Sequence, residues 1–116
     1  MFKCYEDTFN GKRILHIEEW EDPKTDERPK RHIDFGEAKA EALIDVMDII
    51  TEFAATGNRI ANSKGVTFQK FNGKWTLIVP FNALKPFSFQ QAKADLVTIF
   101  RKQIAEFSDG IVINFR

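Results

Sequence analysis

Few side chains in this sequence could carry out acid/base or nucleophilic chemistry, because it holds only two histidines and one cysteine. His16 and Glu18 are two positions apart in an alternating apolar pattern, so both would point to one face of a strand and could form an acid/base pair. Cys4 would need a facing imidazole to act as a nucleophile, and the predicted register puts it on the face opposite His16. We therefore predict no catalytic residue, with a small enzyme using His16 and Glu18 as an alternative.

The same residue types argue against a metal ion or a cofactor. One Cys and two His are too few for a zinc site built from those two residue types. His32 follows Lys30 and Arg31 in a polar stretch, 23–32, that is typical of a solvated connection. The sequence has no Gly-rich phosphate loop, nucleophile elbow or His-Glu-x-x-His pattern. We expect no metal and no cofactor.

Four acidic residues are spaced so that they share one side of a predicted helix. Their separations of 4, 3 and 4 positions put them opposite the apolar side of that helix. We call them the acidic stripe, and they are Glu41, Asp45, Asp48 and Glu52. The stripe is a solvated surface, a docking site for a basic partner or a surface that imitates nucleic-acid phosphates.

The second half of the sequence has the opposite charge. Residues 1–57 hold 8 basic and 14 acidic residues, whereas residues 58–116 hold 9 basic and 3 acidic ones. The stretch 58–88 has no acidic residue, and its basic residues are Arg59, Lys64, Lys70, Lys74 and Lys85. A predicted hairpin tip in this stretch carries four residues that we call the tip residues: Lys70, Phe71, Lys74 and Trp75. Lysines can contact phosphates while aromatic rings stack on bases, so the tip is a candidate site for single-stranded nucleic acid.

The first predicted hairpin has an unusually aromatic outward face. Strand alternation places eight residues on this aromatic face: Lys3, Tyr5, Asp7, Phe9, Ile14, His16, Glu18 and Trp20. Such a surface is typical of a contact site, in which Tyr5 and Trp20 would be the anchors. The other interpretation is that the last strand, a loop or a second copy of the protein covers it.

Two hairpins and two helices must position these residues. Two Asn-Gly turns predict hairpins with strands over 2–9, 12–20, 65–71 and 74–80. Apolar residues at helical spacing predict one helix after each hairpin, with capping boxes at Asp34 and Ser88 and stops at Gly57 and Gly110. The inward face of the hairpins is predicted to be core: Phe2, Cys4, Leu15, Ile17, Val66, Phe68, Leu77 and Val79.

The chain also contains an internal repeat. The tetrapeptide Phe-Asn-Gly-Lys occurs twice, 62 positions apart, and the two helices align with an offset of 54. We predict a single domain over 1–116, made of a repeat over 1–57 and 58–110 and an extra strand over 111–116. The predicted fold class is α+β, a two-layer sandwich in the order ββαββαβ. Its mostly antiparallel sheet would carry both helices on one face.

Length and composition limit the class of protein. A chain of 116 residues suits one domain, and its 12 Phe argue against disorder. The 17 basic and 17 acidic residues cancel, which argues against a wholly basic nucleic-acid protein. The N-terminal residues lack the apolar region of a secretory signal, no apolar run is long enough for a membrane span, and the single cysteine suits a reducing compartment. We expect a cytoplasmic protein.

The leading prediction is a small non-enzymatic protein-binding module of the adaptor or inhibitor type. It would use the acidic stripe to attract a basic partner, with Tyr5 and Trp20 as anchors on the aromatic face. The alternatives are single-stranded nucleic-acid binding through the four tip residues, and the small enzyme that uses His16 and Glu18. A homodimer could form through the C-terminal strand or by head-to-tail pairing of the two oppositely charged halves.

Overall fold

A computed structural model describes residues 1–81 and 86–115 of the protein. In that described part the strands are β1 (Phe2–Phe9), β2 (Lys12–Glu19), β3 (Arg31–Gly36), β4 (Thr67–Phe71), β5 (Lys74–Val79) and β6 (Phe87–Gln90). The helices are α1 (Glu37–Asp45), α2 (Met47–Thr56), α3 (Gln91–Ile99) and α4 (Arg101–Ser108). The α+β class is confirmed, and the predicted order fits broadly, with a third strand and a divided helix in each half.

Both predicted Asn-Gly hairpins form. β1 pairs with β2, and β4 pairs with β5, each in antiparallel orientation. The turn residues Asn10 and Gly11 have φ angles of 52° and 74°, and Asn72 and Gly73 have 49° and 79°. Positive φ at both turn positions matches the right-handed twist of the flanking strands, which explains why Asn-Gly predicts a hairpin so well.

Each sheet has a third strand that the sequence analysis does not predict. β3 pairs with β2, and β6 pairs with β5, so the strand orders are β1-β2-β3 and β4-β5-β6. The described residues therefore form two three-stranded antiparallel sheets, which corrects the prediction of one sheet carrying both helices. The predicted helix caps Asp34 and Ser88 are also wrong, because both residues lie within strands, in β3 and β6.

Each predicted helix is interrupted near its middle. α1 gives way to α2 at Val46, where φ is −121° and ψ is 18°, and α3 gives way to α4 at Phe100, where φ is −103° and ψ is 20°. Both side chains are buried and neither residue is Gly or Pro, so the sequence carries no ordinary signal of a break. The two interruptions are 54 positions apart, which equals the offset found between the predicted helices.

The described chain forms two compact units, each of which contains parts of both sequence halves. The first unit consists of residues 1–41 and 100–115 and joins the sheet β1-β2-β3 to α4. The second unit consists of residues 42–81 and 86–99 and joins the sheet β4-β5-β6 to α2 and α3. The second helix of each half therefore belongs to the unit that holds the sheet of the other half.

The core of the first unit is built mainly from β2 and α4. The fully buried side chains of these two elements are Leu15, Ile17, Ile104 and Phe107. At one end of the inward face, Phe2 packs edge-on against Phe100, with ring centres 5.6 Å apart, and stays 44% exposed. The predicted inward face is therefore buried at its centre and open at its end.

The core of the second unit is built from its sheet and two helices. Its buried side chains include Ile50, Phe53, Val66, Leu77, Val79, Phe89 and Leu96. Phe53 of α2 packs on Phe68 of β4, with ring centres 5.5 Å apart. Gly57 ends α2 with φ 75° and donates its N–H to the carbonyl of Phe53, so the predicted stop at this glycine is confirmed.

The C-terminal segment lies along β1 without forming the predicted fifth strand over 111–116. The N–H of Glu6 donates to the carbonyl of Ile113 at 2.8 Å, as in a ladder. The N–H of Ile113, however, donates to Glu6 Oε1 at 2.7 Å. A side-chain carboxylate thus takes the position of a backbone acceptor, so the backbone pairing between β1 and the C-terminal segment ends after one residue. Residues 111–115 form no strand. Residue 116 lies outside the described residues.

Glu6 is a buried charged residue of the first unit, with 1% of its surface exposed, and it links β1 to Arg13 and to the C-terminal segment by hydrogen bonds. Arg13 donates to it from both Nε and Nη2, each at 2.8 Å. Arg13 also donates to the carbonyls of Phe107 at 3.3 Å and Ile111 at 2.7 Å. The hydrogen bonds from Arg13 hold the pKa of Glu6 below its ordinary value despite burial, and Glu6 raises the pKa of Arg13 in return.

Candidate functional site

The second hairpin presents its two lysine–aromatic pairs on opposite faces. Lys70 lies directly opposite Trp75, and Phe71 lies directly opposite Lys74. Since successive strand residues point to alternate faces, Lys70 and Trp75 share the face of Phe68, while Phe71 and Lys74 point the other way. The sequence pattern predicts one site made of the four tip residues, whereas the structure brings them together as two pairs.

Trp75 lies in a group of positive charges. The guanidinium carbon of Arg59 lies 3.8 Å from the centre of the indole ring, and Lys70 Nζ lies 5.9 Å from it. Cation–π attraction stabilises this arrangement, in which the ring remains 37% exposed. The sequence pattern indicates Arg59 only as part of a basic stretch. Arg59 and Trp75 are 16 positions apart in the sequence, and no sequence pattern predicts that they are in contact.

A pocket of about 430 Å³ opens beside Trp75 in the second unit. Its walls are Phe53, Gly57, Gly73, Lys74, Trp75, Gln90, Gln91 and Ala92. Gln91 is held in place because its Nε2 donates to the carbonyl of Ala54 at 3.1 Å. No acidic side chain lines the pocket among the residues that the structure describes. The pocket can therefore hold a flat ring with polar edges close to positive charge.

The acidic stripe is divided by the helix interruption and partly engaged in contacts. Glu41 and Asp45 lie in α1, and Asp48 and Glu52 lie in α2. Lys64 Nζ donates to the carbonyl of Asp45 at 2.8 Å and contacts Asp48 Oδ1 at 3.4 Å. Glu52 accepts a hydrogen bond from Asn58 Nδ2 at 3.0 Å. Of these contacts, the one between Lys64 and Asp48 pairs opposite charges, so one ion pair reduces the negative charge that the stripe offers a partner.

Both predicted anchors of the aromatic face are tied to one carboxylate. The hydroxyl of Tyr5 donates to Glu18 Oε2 at 2.8 Å, and Trp20 Nε1 donates to Glu18 Oε1 at 2.9 Å. Burial raises the pKa of Glu18, but the hydrogen bonds from Trp20 and Tyr5, together with His32 and His16 nearby, bring it below its ordinary value. These contacts hold Tyr5 and Trp20 against their own sheet.

The residues considered for catalysis are poorly placed for it. Both oxygens of Glu18 already accept hydrogen bonds, and a carboxylate with a lowered pKa is a weak general base. Burial raises the pKa of the Cys4 thiol to about 11, so this thiol is protonated at neutral pH and is a poor nucleophile.

A group of two histidines and one aspartate lies on the aromatic face. Asp34 is directly opposite His16 in the sheet, with Oδ2 3.8 Å from His16 Nδ1 and 3.4 Å from His32 Nε2. The prediction that His32 lies in a solvated connection is wrong, because this residue lies in β3. The alternation from His32 to Phe35, polar outward and apolar inward, is the signal that could have revealed the strand.

Comparison with known proteins identifies no relative, because no family model, curated protein or solved structure matches the chain. Within residues 1–81 and 86–115, no helix combines the length and the apolar composition that crossing a membrane requires. Lys85, one of the predicted basic residues, lies outside the described residues.

Proposed function

We propose that the protein binds single-stranded nucleic acid at its second hairpin. One observation carries the proposal: Trp75 forms a wall of the pocket while Arg59 lies over its ring and Lys70 lies nearby. An aromatic ring beside a recess offers a stacking surface to an unpaired base, and neighbouring cations can contact the phosphates on either side of it.

The lining of the pocket suits a nucleobase, which is apolar on its faces and polar at its edges. Trp75 supplies accessible aromatic surface, and the amides of Gln90 and Gln91 can both donate and accept hydrogen bonds. The contact between Gln91 and Ala54 reduces the freedom of one of these amides. A base must leave its partner to enter such a pocket, so the proposal concerns single strands and excludes duplex.

The charges around the pocket favour a polyanion. The stretch 58–81 contains four basic residues and no acidic one. Arg59, Lys70 and Lys74 lie close enough to Trp75 or to the pocket to contact the backbone of a bound strand. Three phosphate contacts on a single strand predict that log K falls with log salt at a slope of about −2.

Tryptophan fluorescence tests the proposal directly, because the chain has two tryptophans. In the variant Trp20→Phe the signal comes from Trp75 alone. We expect quenching by an oligothymidylate at low salt, with affinity that weakens as salt rises. Trp75→Ala should lower the affinity about tenfold or more, measured by anisotropy of a labelled oligonucleotide, because a stacked base is lost.

Trp20→Phe is the matched control for Trp75→Ala and should bind the oligonucleotide like the unmodified protein. Two results would contradict the proposal. The first is an unchanged Trp75 signal on adding the oligonucleotide at low salt. The second is equal affinity for a duplex of the same length, since that would show electrostatic attraction without stacking.

A protein-binding module is the second proposal, and one observation favours it. Ile111, Val112 and Phe115 are 50%, 61% and 57% exposed, so the C-terminal segment presents three large apolar side chains. A second copy of the chain could bury them. Sedimentation should then show a dimer that Val112→Asp converts to a monomer, and a monomer at every concentration of the unmodified protein would exclude this assembly.

A further inference from the structure

The group formed by His16, His32 and Asp34 has the dimensions of a metal site. Each residue offers one ligand atom, and these three atoms lie within 4.8 Å of one another. In a tetrahedral zinc site the ligand atoms lie about 3.3 Å apart, because the metal–ligand bonds are about 2.0 Å long. The distances from Asp34 to the two imidazoles, 3.4 and 3.8 Å, therefore need to change by at most about 0.5 Å, and the distance between the two imidazole nitrogens, which is within 4.8 Å, by up to about 1.5 Å.

The two imidazole rings differ in how firmly they are held. His16 stacks on Tyr5, with ring centres 5.0 Å apart and planes within 13° of each other. His32 lies on β3 at the end of the strand order, and 38% of its side chain is exposed, against 22% for His16. The rings lie 21° from parallel and 5.8 Å apart, so one must rotate before both lone pairs point at one ion. His32 has the room to do so.

Glu18 adds negative charge beside this group. It lies directly opposite His32 in the sheet and interacts electrostatically with both histidines. Its hydrogen bonds from Tyr5 and Trp20 fix the carboxylate in place. A fixed carboxylate in the surroundings of a metal site stabilises a bound cation and orients the groups that ligate it.

We propose that His16, His32 and Asp34 bind one divalent transition-metal ion, with zinc as the ion that best suits the donors. Two imidazole nitrogens and one carboxylate oxygen are ligands that borderline cations such as zinc accept. Calcium and magnesium take sites made of oxygen ligands, so two of the three donors here exclude them.

Three protein ligands leave a fourth position of a tetrahedral ion open. Asp34 is 48% exposed in its side chain, so this position faces solvent and can hold a water molecule or an anionic ligand group. The metal site belongs to the first sheet and shares no residue with the proposed nucleic-acid site. Loss of either function therefore leaves the other testable.

Calorimetric titration of the untagged protein with zinc tests the proposal, and cobalt serves as a spectroscopic probe. We expect one ion per chain, with visible absorption bands that indicate tetrahedral cobalt. Asp34→Asn and His32→Ala should each weaken binding about tenfold or more, because each removes one of three ligands. Both residues are partly exposed, so far-UV circular dichroism should show an unchanged fold.

Three controls make the result specific. Asp7→Asn alters a carboxylate elsewhere on the aromatic face, and Trp75→Ala alters the proposed nucleic-acid site; both should bind zinc like the unmodified protein. Cys4→Ser should also bind normally, and loss of binding in this variant would assign the ion to the thiol and overturn the proposal. Absence of saturable zinc binding, or full binding by Asp34→Asn and His32→Ala, would overturn it as well.

Discussion

Glu6 and Arg13 form an ion pair in which the carboxylate is buried. The pair is stable in the protein because both the carboxylate and the guanidinium have further hydrogen-bond partners. Removing a carboxylate from water costs several kcal/mol, and attraction to a single cation does not by itself recover that cost. Here Arg13 donates twice to the carboxylate, and Ile113 donates once more. The carbonyl of Ile111 also accepts from Nη2 of Arg13, and the carbonyl of Phe107 accepts from Nη1.

Glu6→Gln should therefore destabilise the protein by about 2 to 3 kcal/mol, because it leaves the charge of Arg13 without its buried partner. Urea unfolding monitored by circular dichroism measures this loss. Glu37→Gln is the matched control, since Glu37 also contacts Arg13, at 3.3 Å, but is half exposed. It should cost less than about 1 kcal/mol. Equal effects of the two variants would show that burial of the pair is unimportant.

The same pair predicts how stability depends on pH. Folding lowers the pKa of Glu6, so its contribution is fully present above the unfolded value near 4.5 and is lost as pH falls through the lowered folded value. Urea midpoints measured across acidic pH should fall more steeply for the unmodified protein than for Glu6→Gln. Parallel curves for the two proteins would assign the acid sensitivity to other carboxylates.

Sequence patterns located the four tip residues but not the residues that surround them. The tip residues were found because lysines and aromatics alternate near an Asn-Gly turn, a short-range signal. The stacking of Arg59 on Trp75 and the amides of Gln90 and Gln91 in the pocket depend on contacts between distant parts of the chain. Composition and spacing carry no information on such contacts, so this part of the site required the structure.

At the scale of elements, long periodic segments were predictable and short ones were not. The two hairpins and the helical regions follow from turn residues and from apolar spacing over many positions. β3 and β6 have only six and four residues, and Asp34 and Ser88 within them resemble helix caps. The helix interruptions at Val46 and Phe100 escaped prediction because buried apolar residues normally continue a helix.

The end of α2 allows a prediction at this scale. Gly57→Ala should destabilise the protein by about 1 kcal/mol, because a β-carbon is strained at φ 75° although its nearest neighbour would lie at 3.9 Å. Gly36→Ala, where φ is not left-handed and the nearest atom lies at 3.7 Å, is the control and should be neutral or slightly stabilising. Thermal unfolding of both variants measures the difference, and equal losses would contradict the argument.

At the scale of the whole molecule, the fold reduces the charge asymmetry of the sequence. The halves carry net charges of −6 and +6. Among the described residues, the first unit has 10 basic and 13 acidic residues, and the second unit has 5 basic and 4 acidic ones. The units mix residues from both halves, so the charges are −3 and +1. The electrostatic attraction that would drive the predicted head-to-tail pairing of oppositely charged halves is therefore smaller.

The composition of the units predicts that neither sequence half folds alone. A fragment of residues 1–57 holds the first sheet but lacks α4, which supplies Ile104 and Phe107 to its core. We expect this fragment to show no cooperative thermal transition by circular dichroism, and an equimolar mixture with residues 58–116 to recover one. Cooperative unfolding of residues 1–57 as a monomer would contradict this expectation.

The placement of α4 in the first unit also determines when that unit is completed during translation. The strands β1, β2 and β3 emerge first, yet the helix that covers their apolar side begins 65 residues after β3 ends. At about 5 to 20 residues per second, translation leaves that surface uncovered for roughly 3 to 13 seconds. During this interval the nascent chain exposes Leu15 and Ile17, and a chaperone has its opportunity to bind there.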